Sequence, residues 1–347
     1  MSATTLSAPA RRRLSRNTGL ATLAAAALAA MACAIAIGPI ALPAERVLAA
    51  LLGVGSDADA AIVWTLRVPR TLLAALVGAV LGLAGAVMQG LFRNPLADPG
   101  LLGVSAGGAL GAVAAIVVGV PLLPEALRPA AVALAAFAGA LVATVLVLRI
   151  ALVQGRVSVP LMLLGGVAMN ALAGAGTGFL IFAADDLQLR DIMFWTMGSV
   201  AGAAGPGLVV ALVAAAPLLL MLPFLARALN ALILGEAEAS HLGIRVEAVK
   251  WSAVGATALA VGAAVAASGT IGFVGLVAPH LARLVGGSDH RWVLGASALL
   301  GALLLVAADA LARIAVVPAE LPIGLVTALV GGPFFLALLR GRRVAVR

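Results

Sequence analysis

The sequence predicts an all-α polytopic membrane protein, and three observations carry that class. Hydrophobic residues make up 63% of the chain and charged residues 10%, with a mean hydropathy of +1.18; soluble domains sit near half apolar and a quarter charged. Apolar runs recur from about residue 20 to residue 340 instead of forming one anchor. The runs are continuous, where a membrane β-barrel would show short alternating segments. At roughly 20 residues per crossing, about ten spans are expected, at 20–42, 68–91, 100–120, 130–150, 160–183, 207–229, 251–269, 271–286, 292–312 and 322–340. The eighth is short and marked by Gly and Pro, so nine is the alternative count. Residues 20–340 form a single transmembrane domain between terminal tails at 1–19 and 341–347.

The N-terminal tail carries Arg11, Arg12, Arg13 and Arg16 ahead of an Ala-rich run. That run is too long for a cleaved secretory signal and further spans follow, so it reads as an uncleaved first span. The second span opens from outside on WTLRVPRT, residues 64–71. Arg67 and Arg70 are three apart and share one face if the helix reaches them; Pro69 suits a first helical turn. Headgroup snorkelling is the plain reading, but arginine on the outer face runs against the positive-inside bias and favours an acidic partner. FRNPLADPG at 92–100 is a rigid cytoplasmic turn. It leads into Gly103, Ser105, Gly107, Gly108 and Gly111, small residues that allow close helix packing or line a pathway.

After span five, the segment from Asp185 to Ser199 is too short to cross a bilayer. It reads as a half-helix or re-entrant element, in which Met193 and Met197 either pack or offer soft contacts to a bulky ligand. The stretch GEAEASHLGIRVEAVK at 235–250 looks soluble, with three glutamates, one Arg, one His and the only Lys in the chain. Gly243 divides it into two short helical pieces. It is either a solvated loop or a docking surface whose apolar side seats in a partner's groove. Asp309 and Arg313, at the outer end of span nine, have the i, i+4 spacing of a local ion pair.

Basic residues orient the chain. With the N-terminus inside, 16 of the 22 Lys and Arg fall on the inner side, which puts both termini and 235–250 in the cytoplasm. One cysteine, Cys33, excludes a disulfide framework and a cysteine metal cluster. His241, His280 and His290 all map to the cytoplasmic half, so no metal site is expected. No basic block exists away from span ends, which argues against nucleic acid. A phosphate-binding loop needs a Gly-Lys-Ser/Thr ending, yet Lys250 is followed by Trp251; nucleotide hydrolysis must come from another subunit. An ion-coupled secondary transporter would need an acidic relay, for which Asp309 is the one deep candidate. An intramembrane protease would need a Ser–His pair, and Ser105 with His280 is unconvincing.

Together these stretches resemble the permease subunits of ABC importers for cobalamin, haem and ferric siderophores, the FecCD-type family. The matching pieces are LRVPRT at 66–71, GAVMQGLFRNPLADPGLLGVSAG at 85–107, DLQLRDIMFWTMGS at 186–199, LGEAEASHLGI at 234–244, GTIGFVGLVAPHLARLVGGSDHR at 269–291 and AELPIGLVTALVGGPFF at 319–335. The resemblance implies type II ABC importer permease architecture in a bacterial inner membrane, with no cofactor bound by this chain. It implies a homodimer with the pathway on its two-fold axis, two cytoplasmic ATPase subunits using ATP and Mg, and a periplasmic substrate-binding protein above. It assigns binding-protein docking to Arg67, Arg70 and Arg313, and a cytoplasmic gate to Asn94 and Leu96. ATPase coupling falls to Gly235, Glu236, Ala239, Leu242 and Gly243. Met169, Asn170, Met193 and Met197 are the pathway-lining candidates. Ser158-Val159-Pro160 departs from the hydroxyl-rich loop of cobalamin permeases, so a second gate is not assigned. The run 163–191 looks most like haem importers, so haem is the expected cargo, with cobalamin or a ferric siderophore as alternatives.

Overall fold

The computed structural model describes residues 15–119, 123–202, 206–317 and 319–345; Arg11, Arg12, Arg13 and the last two residues of the C-terminal tail lie outside them. Helix α1 (Arg16–Ala36) begins at Ser15, whose hydroxyl accepts from the Thr18 N–H. Two short outer helices, α2 (Ala44–Leu51) and α3 (Asp57–Ala61), lead into α4 (Val68–Leu91). From Asp57 to Leu91 the helix is continuous, because a π turn at Ile62–Arg67 precedes Pro69. The wider turn relieves the clash of the proline ring with the carbonyl one turn back.

Helix α4 is the centre of the molecule, 78% buried along its apolar window. Its neighbours are α13 (Val274–Gly286) and α14 (His290–Ile314). Helix α5 (Val104–Ala114) packs on α6 (Arg128–Ala151). A two-residue hairpin, β1 (Leu152–Val153) with β2 (Arg156–Val157), then turns the chain into α7 (Val159–Ala183). Helix α8 (Asp186–Met197) starts on a capping box between Asp185 and Gln188, and fulfils the expectation of a short element after span five. Helices α9 (Pro206–Leu220) and α10 (Leu222–Leu232) meet at a 48° bend, where Pro223 cannot donate to the preceding turn. Then follow α11 (Glu236–His241), α12 (Val246–Ser268) and, after α14, α15 (Ile323–Ala345).

Close backbone approach holds the core. A Cβ built on Gly78 would stand 2.2 Å from the Gly301 carbonyl oxygen, and one on Gly85 would stand 1.9 Å from that of Gly275. Between lipid-immersed helices, which gain no hydrophobic drive from meeting, such van der Waals contact is the main attraction. It explains why apolar surface alone would not position α4.

The expectation of about ten full-length spans is corrected. Among the described residues six helices are long and apolar enough to cross a membrane, or seven if the bent α9–α10 pair counts as one. The expected spans at 100–120, 271–286 and 322–340 are shorter apolar helices, Val104–Gly119, Val274–Gly286 and Ile323–Leu338. Helix α13 shows why. Phe273 and Gly287 both have left-handed φ, 69° and 87°, and leave only 13 residues between them. That is about 20 Å of helix against a hydrocarbon core of about 30 Å. The end signals were in the sequence, but hydropathy averages over them.

The seam yields a test. Gly301→Ala drives a methyl into the Gly78 carbonyl and should cost about 1–3 kcal/mol, read as a lower thermal unfolding midpoint in detergent. Gly255→Ala, where a Cβ meets nothing within 4 Å, should leave the midpoint unchanged or raise it.

Candidate docking, gating and coupling sites

At the end of the bundle expected to face outward, Arg67, Arg70 and Arg313 line one recess of about 270 Å³, together with Glu320 and the α1–α2 linker at 38–40. Arg67 is only 5% exposed. Its guanidinium donates to the carbonyls of Ile35 and Ala36, each at 2.9 Å, and of Ile40 at 2.6 Å. Arg70 donates through Nε to Asp309 Oδ1 at 2.9 Å and through Nη1 to Glu320 Oε2 at 2.8 Å. Arg313 is buried; its Nη1 donates to the Ile37 carbonyl at 3.1 Å, and its Nη2 lies 2.9 Å from Asp309 Oδ2 as an ion pair without hydrogen-bond alignment.

Three outward-facing arginines are therefore not what the fold presents. The π turn sends Arg67 to the linker while Arg70 reaches α14, so the expected common face is divided. The local Asp309–Arg313 pair is present. Arg70 joining it from 239 residues away and Glu320 closing the set were not legible from spacing. Glu320 stood in the AELPIG stretch without a role. Three cations face two carboxylates, which leaves the recess net positive.

At its opposite end, expected to face inward, α4 stops at a turn in which Arg93 has a left-handed φ of 49°. Asn94 Oδ1 accepts from the Leu96 N–H at 2.9 Å, an Asx turn that holds the exposed Leu96 side chain outward. Asp98 Oδ1 accepts from the Gly100 N–H at 2.8 Å. Burial pushes the Asp98 carboxyl above its ordinary range, against the lowering effect of that bond. Asn170 Nδ2 donates to the Gly100 carbonyl at 3.3 Å, and a Cβ on Gly103 would lie 3.0 Å from Met169 Cγ. Met169 and Asn170 thus touch the gate loop, whereas Met193 and Met197 stand exposed on α8. The C-terminus of α8 is joined to α12 and α15: Ser199 N–H donates to the Ser268 carbonyl at 2.7 Å, and Ile323 N–H to the Gly198 carbonyl at 3.0 Å.

The candidate coupling segment begins at Gly235. Glu236 and Glu238 occupy the first turn of α11 and His241 its last, each sign suited to the helix end it faces. Ala239 is fully buried and anchors the helix, while Leu242 is 63% exposed. The Ile244 N–H bonds the Ala239 carbonyl and the Gly243 N–H that of Ser240, the double bond of a Schellman ending, with Gly243 at φ 81°. The expectation of two short helices is corrected on the second piece. From Val246 onward the chain is the first turn of the long α12, because no break follows Arg245.

One feature of this segment escaped sequence reasoning. Lys250 Nζ donates to Glu236 Oε2 at 2.8 Å, to Glu247 Oε1 at 3.1 Å and to the Val157 carbonyl at 2.9 Å. Glu247 Oε2 accepts the Val157 N–H at 2.8 Å. The i, i+3 spacing of Glu247 and Lys250 was a visible signal; the reach to Val157 was not. Among the described residues no group of three or more His, Cys, Asp or Glu is placed to hold a metal ion.

The sequence matches the FecCD transport family over residues 26–341. It is 46% identical over 282 residues to the hemin transport system permease protein HmuU of Yersinia pestis, covering 81% of this chain and 84% of that protein. It is 45% identical over 284 residues to the vitamin B12 import system permease protein BtuC of Vibrio cholerae, covering 82% and 84%. The cobalamin import system permease protein BtuC of Halobacterium salinarum is 46% identical over 287 residues, covering 82% and 74%. Among solved structures, an inward-facing metal-chelate-type ABC transporter superposes with a TM-score of 0.82 at 30% identity, covering 94% of this chain and 99% of that one. The haem preference taken from residues 163–191 is not sustained, since relatives named for haem and for cobalamin are equally similar.

The outer charge set yields a test. Asp309→Asn leaves Arg70 and Arg313 facing each other without their shared carboxylate and should cost about 3–5 kcal/mol. Glu320→Gln, at the wetter edge, should cost under about 1 kcal/mol. Thermal unfolding midpoints of the two variants measure the difference.

Proposed function

The chain belongs to the FecCD transport family, and from that premise we propose a specific cargo, assembly and route of coupling. It is a non-catalytic ABC-importer permease subunit that moves a metal-chelate or cofactor cargo by alternating access, and ATP hydrolysis resides in a separate partner. The cargo is a bulky metal chelate. Haem and cobalamin stand side by side as readings, supported to the same degree by the similarity to HmuU and to the BtuC proteins, and a ferric siderophore is the third. The expected working unit is a homodimer with two ATPase subunits on its cytoplasmic side and a substrate-binding protein outside, in a bacterial inner membrane with both termini cytoplasmic. The inner-side excess of basic residues supports that orientation.

The observation that carries the reading is α11 with Leu242. A short polar helix stands out from an otherwise oily chain, anchored by one buried alanine and presenting an apolar residue to water. A chain without a phosphate-binding loop needs such a surface to receive energy from a partner. The outer recess is the docking candidate: its residual positive charge suits an acidic rim, and Arg70 is the contact residue while Arg67 and Arg313 shape the floor. Asn94 and Leu96 form the inner gate, with Met169 and Asn170 lining the pathway beside it and Met193 and Met197 lining its outer part.

Reconstitution in vesicles with the cognate ATPase and binding protein tests the reading. ATP-dependent uptake of haem, cobalamin or a ferric siderophore is the expected result, and the cargo taken up decides among them. Gradient-driven uptake without an ATPase would instead mark a secondary transporter. Leu242→Arg, at an exposed position, should cut uptake by roughly tenfold or more with an unchanged unfolding midpoint.

A further inference from the structure

We propose that Lys250 and its two glutamates lock α11, the first turn of α12 and the β1–β2 hairpin into one unit, which carries displacement of α11 to α7 and the gate loop. The proposal rests on the permease reading above and concerns how force leaves the coupling segment.

The geometry starts from the ammonium. Lys250 is 3% exposed, and its three donors meet three acceptors on three separate segments: Glu236 at the start of α11, Glu247 in the first turn of α12, and Val157 at the end of β2. An ammonium has three protons and no acceptor, so it is saturated. Val157 is bracketed in turn, since its carbonyl accepts from Lys250 and its N–H donates to Glu247. A six-residue helix has little stability of its own; a charged tie at its first residue keeps α11 from moving independently of α12.

Beyond Val157 the connection to α7 is short. The Ser158 N–H closes the hairpin on the Ala151 carbonyl, and the Ser158 carbonyl accepts from Met162 in the first turns of α7. Much of the α7 surface is exposed on the single chain, Leu164, Leu172, Phe179 and Phe182 among it, so few side-chain contacts within the chain hold that face. Its tight contact lies at the gate loop: a Cβ on Gly166 would stand 1.6 Å from the Leu101 carbonyl oxygen, and Asn170 bonds Gly100. The route is therefore α11, Lys250, Val157, α7, and the loop carrying Asn94 and Leu96. An ion cluster that served stability alone would need neither a saturated lysine on three segments nor a partner two residues before the start of the helix that meets the 99–102 turn.

Lys250→Met tests this in the vesicle system. The side-chain length is kept, and both glutamates are partly exposed, so they hydrate once the ammonium is gone and the fold survives. Expected are assembly with the ATPase and ATP hydrolysis near wild type, but uptake per ATP hydrolysed lower by roughly tenfold. Wild-type uptake per ATP in Lys250→Met overturns the proposal. Should that variant assemble poorly, Glu236→Gln, which leaves Lys250 its other two acceptors, should lower the same ratio by a smaller factor; an unchanged ratio overturns the proposal. Because Lys250 is the only lysine in the chain, a water-soluble succinimidyl ester reports on the lock in the wild-type assembly, read by peptide mass spectrometry. Protection both without nucleotide and in the ATP-locked state supports a rigid unit. Labelling that rises in the ATP-locked state overturns it. Absence of ATP-dependent uptake by the wild type would fail the permease reading instead, and is told apart by that control.

Discussion

Backbone contact along α4 is the constraint from which the rest of the structure hangs. Gly78 and Gly301 touch carbonyl to Cα, and Gly85 meets Gly275 in the same way. With α14 on one stretch and α13 on another, α4 has no lateral freedom. Both of its ends then become fixed platforms. At the outer end Arg70 is delivered to Asp309 and Glu320. At the inner end the helix stops at Phe92 and hands on a turn whose shape is set by Asn94 and Asp98. A wider helix pair would take Arg70 out of hydrogen-bond range of Asp309.

The two charged clusters show opposite uses of burial. The outer one is dry at its centre: Asp309 and Arg313 are both almost fully excluded from water, and a charge there is tolerable only because each has a partner. It fixes α4, α14 and the α1–α2 linker around one point. The inner one keeps its cation buried but leaves both glutamates in contact with solvent. Its glutamates can hydrate but its ammonium cannot, so the buried cation holds its three segments together.

What the sequence made legible follows from how local each signal is. The membrane class, the short α8, the turn at 92–100, the charges at the two ends of α11 and the Asp309–Arg313 pair all depend on neighbours within a few residues, and each was readable. The shortness of α13 was marked by Gly and Pro, but the left-handed Phe273 that starts it lies inside a run that hydropathy treats as continuous. The separation of Arg67 from Arg70 was hidden by a π turn, which has no simple sequence mark. Long-range partners, Arg70 with Asp309 and Lys250 with Val157, depend on the packing of helices far apart in the chain. Motifs place such residues near a function without showing what they touch. Cargo identity was the least legible, because relatives named for haem and for cobalamin are equally similar to this chain.

The pairing of Arg70 with Asp309 has a consequence for biosynthesis. The two residues are 239 positions apart, so at about 5–20 residues per second the ribosome needs roughly ten to fifty seconds to supply the carboxylate. Through that interval α4 sits in the bilayer with an unpaired arginine at its outer end and an uncovered glycine face along its length. The nascent chain must be sheltered until α14 arrives, which makes the last third of the polypeptide the part that completes its centre.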